Sequence, residues 1–230
     1  LYPFSNASCD FSSFAKLPPS LGSQLNNRNL KGYYATTVKE VLDLPDEEID
    51  IAKAVFLASL GDSSFAKENI KQLEALLDVM ALQVIATLPA NPSTKDKINS
   101  INKLIYFDIG FRYPPIEQGF EFIDRYSFLS SVMDYRQGVC LGTSLLLQAI
   151  AQRIELPLEV ITPPGHIYLR HISPETIINI ETTLRGVNLP TKNYLSIDTK
   201  QLQPRTLKET AGLSFVNQGL LFFQHQRYNE

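Results

Sequence analysis

Cys140 stands in the run Gly138-Val139-Cys140-Leu141-Gly142-Thr143-Ser144-Leu145, with His166 after Pro163-Pro164-Gly165 and Glu181 in Asn179-Ile180-Glu181-Thr182-Thr183. A thiol, an imidazole and a carboxylate are the parts of a nucleophilic site. The thiolate attacks, the imidazole moves the proton, and the acid holds the ring through its other nitrogen. Residues 141–154 are apolar on most sides, which predicts a buried helix with Cys140 at its mouth. There the helix dipole and the unpaired N–H groups favour thiolate over thiol. Gly138 is expected to let the chain turn tightly into this helix, and Gly142 and Thr143 to leave space beside the sulfur. Each residue alone has a plainer account. A free Cys is commonly a small buried hydrophobe, a His at a strand start a polar turn residue, and Glu181 a solvated strand-end charge. The three together, in this order, say more than any one.

The elements that must position these residues are legible as periodicities. Residues 1–44 form a leader read as irregular, rich in Ser, Asn, Pro and Gly at its start. Pro45-Asp46-Glu47-Glu48 reads as the first turn of a helix that carries Ile51, Val55 and Ala58 on one face and stops at Gly61. A second helix is expected over 64–88, and a third, capped by Ser93 or Thr94, with Ile98, Ile101, Leu104 and Ile105 on its apolar side. Residues 45–125 thus read as a helical subdomain. Phe128, Leu129, Val132 and Met133 predict a short helix before the buried one, and 158–162, 166–171 and 177–181 predict three strands of a meander. Residues 184–205 give few signals. A buried helix followed by a small antiparallel sheet predicts an α+β fold, with a core over 126–205 and a C-terminal helix in 206–230.

Composition narrows the classes. The 230 residues carry a net charge of −3 with no Lys/Arg stripe, which argues against nucleic-acid binding. The apolar runs are too short to span a bilayer, so no membrane segment is expected. Two cysteines, Cys9 and Cys140, are too few for a secreted disulfide scaffold, although one bridge between them is feasible. This favours the cytoplasm slightly; the missing initiator Met leaves export after signal removal open. No cofactor or metal is expected, since His166, His171 and His225 lack ligand spacing and no phosphate-binding Gly loop is present. Asp46, Glu47, Glu48 and Asp50 read as a helix N-terminal charge cluster rather than paired catalytic acids.

The run 138–145, Ile150-Ala151-Gln152-Arg153-Ile154-Glu155-Leu156-Pro157-Leu158 and Pro164-Gly165-His166 resemble the transglutaminase-like superfamily, and more closely its bacterial SirB-type branch. The resemblance extends upstream through Glu47-Glu48-Ile49-Asp50-Ile51-Ala52 and Ser127-Phe128-Leu129, and covers roughly residues 45–183. It implies a papain-like core with Cys140 as nucleophile, His166 as general base and Glu181 as acid. The wider superfamily has Asp at the acid position, one methylene shorter, and the branch has Asn where Tyr126 stands. Many members of the branch lack the Cys, so the fold does not by itself imply catalysis. Asn217-Gln218-Gly219, Phe222-Phe223 and Tyr228-Asn229-Glu230 resemble the first helix of a tetratricopeptide repeat, which would continue past Glu230.

These readings converge on a thiol-dependent acyl-transfer enzyme acting on a protein or peptide. Water as acceptor would make it a protease, amidase or deamidase, and an amine a transglutaminase. The alternatives are a non-catalytic interaction module with a vestigial site, or a cleft that binds peptide without turnover. Oligomeric state has no signature in the sequence.

Overall fold

The computed structural model describes residues 24–115, 126–190, 202–224 and 226. The fold is α+β, seven α-helices and one four-stranded antiparallel sheet among the described residues. The helices are α1 (Val38–Asp43), α2 (Ile51–Leu60), α3 (Ser64–Thr87), α4 (Thr94–Asn102), α5 (Leu129–Tyr135), α6 (Cys140–Arg153) and α7 (Leu207–Gln224). The strands are β1 (Glu159–Ile161), β2 (Tyr168–Ile172), β3 (Ile177–Glu181) and β4 (Val187–Asn188), paired in chain order as a meander. The short strand β4 falls in a stretch where the sequence gives few signals; two exposed residues leave no alternation to read.

Side chains set most helix starts. Thr37, Asp50 and Ser63 each accept a hydrogen bond from the third residue of the helix they precede, and Ser93 forms a reciprocal capping box with Asp96. Two boundaries differ from the sequence reading. Asp46–Glu48 is a separate 3-10 turn rather than the first turn of α2, because Asp50 is the residue that caps that helix. Asp46 instead accepts hydrogen bonds from the N–H groups of Leu207 and Lys208, both at 2.9 Å, and so caps α7 from far along the chain. In the stretch expected to be irregular, 3-10 turns at Asn26–Asn29 and Lys31–Tyr34 precede α1, and Leu25 is buried in the core. Cys9 lies outside the described residues, as do His225 and the end of the repeat-like tail.

One apolar core joins helices to sheet, running from Phe56, Leu77 and Ile105 through Leu146 and Ile150 to Leu169 and Ile180. Helix α6 is its axis. Leu141 to Ala151 and Arg153 are buried, and the helix packs on α2, α3, α4, α5 and β2. Helix α4 runs on into a π-helical segment, Lys103–Ile109, that ends at Gly110 in the left-handed region.

Beneath the far end of α6 lies a charge network that apolar periodicity does not reveal. Arg153, fully buried, donates from Nε to Asp78 Oδ1 at 2.8 Å, and Arg28 pairs with the other oxygen of Asp78. Lys53 donates to Glu74 at 2.8 Å, and Asn27 to Asp50 at 2.9 Å. Burial pushes the Glu74 carboxyl up to about 7, against the pull of Lys53. Removing one partner from such a pair strands a buried charge. Arg153→Met therefore lowers stability by about 3 kcal/mol, read as a lower urea midpoint at unchanged slope; an unchanged midpoint would show that the pair contributes nothing net.

Candidate functional site

Three chain features converge at the first turn of α6. Cys140 is its first residue, a half-buried free thiol. The approach is held by backbone: Gly138 N–H donates to Arg112 at 3.1 Å and Val139 N–H to the Tyr126 carbonyl at 2.8 Å. Val139 occupies the N-cap and no side chain caps the helix, unlike α1 to α4. Its first N–H groups thus lack the side-chain acceptor that Ser or Asp would bring. The glycines here serve close approach rather than a turn. Gly138 does not adopt positive φ, contrary to the tight turn expected of it. A Cβ on it would meet Thr143 Oγ1 at 2.6 Å, and one on Gly142 would meet the Tyr126 carbonyl oxygen at 2.6 Å and Val132 at 2.5 Å. The bare Gly142 lets α6 lie directly against the segment before α5, and the bare Gly138 leaves room for the Thr143 hydroxyl.

His166 is set by the turn ahead of β2. Its N–H donates to the Pro163 carbonyl at 3.1 Å, with Pro164 second and Gly165 third, at φ 73°. Pro at the second position and a positive-φ Gly at the third are the residues of a type II turn. Glu181 ends β3, where the register pairs Leu169 with Ile180 and brings the strand's last residue toward the start of β2. His166 Nε2 lies 2.7 Å from Glu181 Oε2, with the imidazole a quarter exposed and the carboxylate 4% exposed. The hydrogen bond with Cys140, then that with Glu181, pushes the imidazole up to about 9 against the opposing effect of burial. Glu181 is held below its ordinary value: burial would raise it, but hydrogen bonds from His166 and Thr183 outweigh that.

The structure thus brings together all three residues singled out from the sequence. It adds others that the sequence reading passed over. Thr182–Leu184 forms a 3-10 turn after β3; Thr182 accepts from the Tyr106 hydroxyl through its carbonyl at 2.9 Å, and its Oγ1 lies 3.1 Å from Ser144 Oγ. Ser144 is one helical turn beyond Cys140, so the strand that ends in Glu181 is tied to the helix that Cys140 opens. The paired threonines after Glu181 were the available signal, since Thr after a strand commonly bonds the local backbone. His171, by contrast, is buried with Nδ1 3.0 Å from the Pro157 carbonyl, a structural contact. Among the described residues no cluster of three His, Cys, Asp or Glu side chains has the placement to hold a metal ion. No helix among them is long and apolar enough to cross a membrane. A cavity of about 650 Å³ lies at the other end of α6, between Gln148, Gln152, Leu158 and Leu207, and none of the three site residues lines it.

The His166–Glu181 pair has a defined pH signature. An imidazole raised in the folded state stabilises fully below its ordinary value of 6.5, down to where the carboxylate itself protonates. The contribution is lost as the pH rises through about 9. The stability difference between the wild type and Glu181→Gln is therefore largest near pH 6 and shrinks by pH 10, as urea unfolding across that range would show; a pH-independent difference would contradict the pairing.

Comparison with known proteins adds one finding. The family model described as the transglutaminase-like superfamily matches residues 71–226, more than half of the chain and a span that includes all three residues. No curated protein and no solved structure matches the chain.

Proposed function

The chain belongs to the transglutaminase-like superfamily, and on that premise we propose that it is a thiol-dependent acyl-transfer enzyme using Cys140, His166 and Glu181. The observation that carries the proposal is the hydrogen-bonded sequence from thiol to imidazole to buried carboxylate. An imidazole raised to about 9 is protonated at neutral pH, as the partner of a thiolate must be.

The chemistry follows from that arrangement. The Cys140 thiolate adds to an amide carbonyl carbon, and the oxygen gains negative charge. The uncapped N–H groups at the start of α6, that of Cys140 among them, are the donors that stabilise it. His166 gives its Nδ1 proton to the amide nitrogen, the C–N bond breaks, and the amine leaves a thioester on Cys140. An acceptor, water or an amine, then gives a proton to His166 as it attacks the thioester carbon. The C–S bond breaks and thiolate and imidazolium are restored. Glu181 keeps Nε2–H engaged, so Nδ1 is the nitrogen that cycles.

Finer assignments are part of the same proposal. A nucleophile opening a buried helix, with the base just ahead of one strand and the acid at the end of the next, supports a papain-like core over 126–205. Packing of α2, α3 and α4 against α6 supports a helical subdomain beside that core. The motifs around Cys140 and His166 support the SirB-type branch. Val216 and Leu220, exposed one helical turn apart on α7, support a first repeat helix. The substrate is a protein or peptide.

Turnover tests the proposal. The reduced protein, incubated with a peptide library, is assayed for ammonia release, fragment release and incorporation of a fluorescent primary amine. Cys140→Ala abolishes activity, and His166→Ala lowers it by about 10²–10⁴-fold. Activity that survives Cys140→Ala, or none on any amide in the library, would sink the enzyme reading in favour of a binding module.

A further inference from the structure

A glutamate has one more side-chain torsion than an aspartate, through which the Glu181 carboxylate could swing away from His166. The carboxylate is held at both oxygens. Oε2 faces His166 Nε2 at 2.7 Å, while Oε1 accepts from the Thr183 N–H at 3.1 Å and from the Thr183 hydroxyl at 2.5 Å. The longer side chain thereby curls back to cap the 3-10 turn that follows its own strand. That turn is in turn anchored by Tyr106 and Ser144 through Thr182. A carboxylate with three donors on two oxygens has one orientation, and that orientation aims Oε2 at the ring.

We infer that Thr183, through its hydroxyl, is a positioning residue for the site, which fixes the Glu181 carboxylate against the His166 ring. The inference rests on the proposed roles of His166 and Glu181 but not on turnover. Thr183 is only partly buried and is not among the apolar core residues, so its replacement leaves the core intact. Its backbone N–H persists in every variant, and the hydroxyl alone is under test.

The test is a pH titration of His166 by NMR in the wild type, Thr183→Val, Thr183→Ala and Thr183→Ser, with thermal melting of each as the check on folding. Cys140 and Glu181 are the titratable groups that bond the ring, and Tyr106 stands behind Glu181. Loss of the hydroxyl frees the carboxylate to leave the ring, so both Val and Ala lower the His166 midpoint by at least about 0.5 unit, and Ser keeps it near the wild-type value. An unchanged midpoint in Val and Ala would make Thr183 a local turn residue and overturn the inference. A raised midpoint would also overturn it, because the hydroxyl would then be damping the carboxylate's charge rather than setting its place. Misfolding of Val leaves Ala to decide. A lowered midpoint in a protein without turnover would retain Thr183 and remove only the enzyme reading; turnover with an unmoved midpoint would do the reverse.

Discussion

Burial of α6 is the constraint on which the rest depends. From Leu141 to Ala151 every residue is buried, so the helix can neither rotate nor slide without opening the core. Its first residue, Cys140, is only half-buried, at the surface. A thiol elsewhere on this helix would be sealed in apolar packing. At the end it combines access with the positive pole of the dipole. Gly142 serves the same constraint, because a side chain there would push the helix off the backbone before α5, and a side chain at Gly138 would collide with Thr143 in the first turn of α6.

The sheet meets this fixed point from one side. Packing of β2 on α6 sets the distance between strand and helix, the Pro164-Gly165 turn sets where the strand begins, and the β2–β3 register sets where the acid ends up. The Ser144–Thr182 contact closes the loop between the two elements. Base and acid are therefore held by backbone geometry, with side-chain hydrogen bonds refining the last ångström. The electrostatics agree: Cys140 and then Glu181 raise the imidazole, and hydrogen bonds from His166 and Thr183 lower the carboxylate.

Legibility in the sequence followed period and punctuation. The three residues of the site could be named because each sits at an element boundary marked by Gly, Pro or a change of period. Helices α3 and α4 began where Ser63 and Ser93 cap them, and the meander could be read from β-branched runs between Pro- and Gly-containing turns. What escaped was set by contacts distant in the chain. Asp46 looks like a first-turn acid for the helix it precedes, yet it caps α7, because only the tertiary fold brings Leu207 near. Arg153, Asp78 and Glu74 carry charges that a hydrophobic period ignores, and their burial depends on three separate segments meeting. Thr183 was in view, but its role depends on how a glutamate side chain bends.

The central claim is that His166, held by Glu181, makes Cys140 a nucleophile. The most direct measurement is the rate of Cys140 alkylation by iodoacetamide against pH, followed by mass spectrometry in the wild type and His166→Ala. The claim predicts fast alkylation of the wild type at neutral pH, and in His166→Ala a loss of that reactivity by about tenfold or more with its onset moved to higher pH. Superimposable profiles would contradict it, and would make the thiol a packing residue at the mouth of a buried helix.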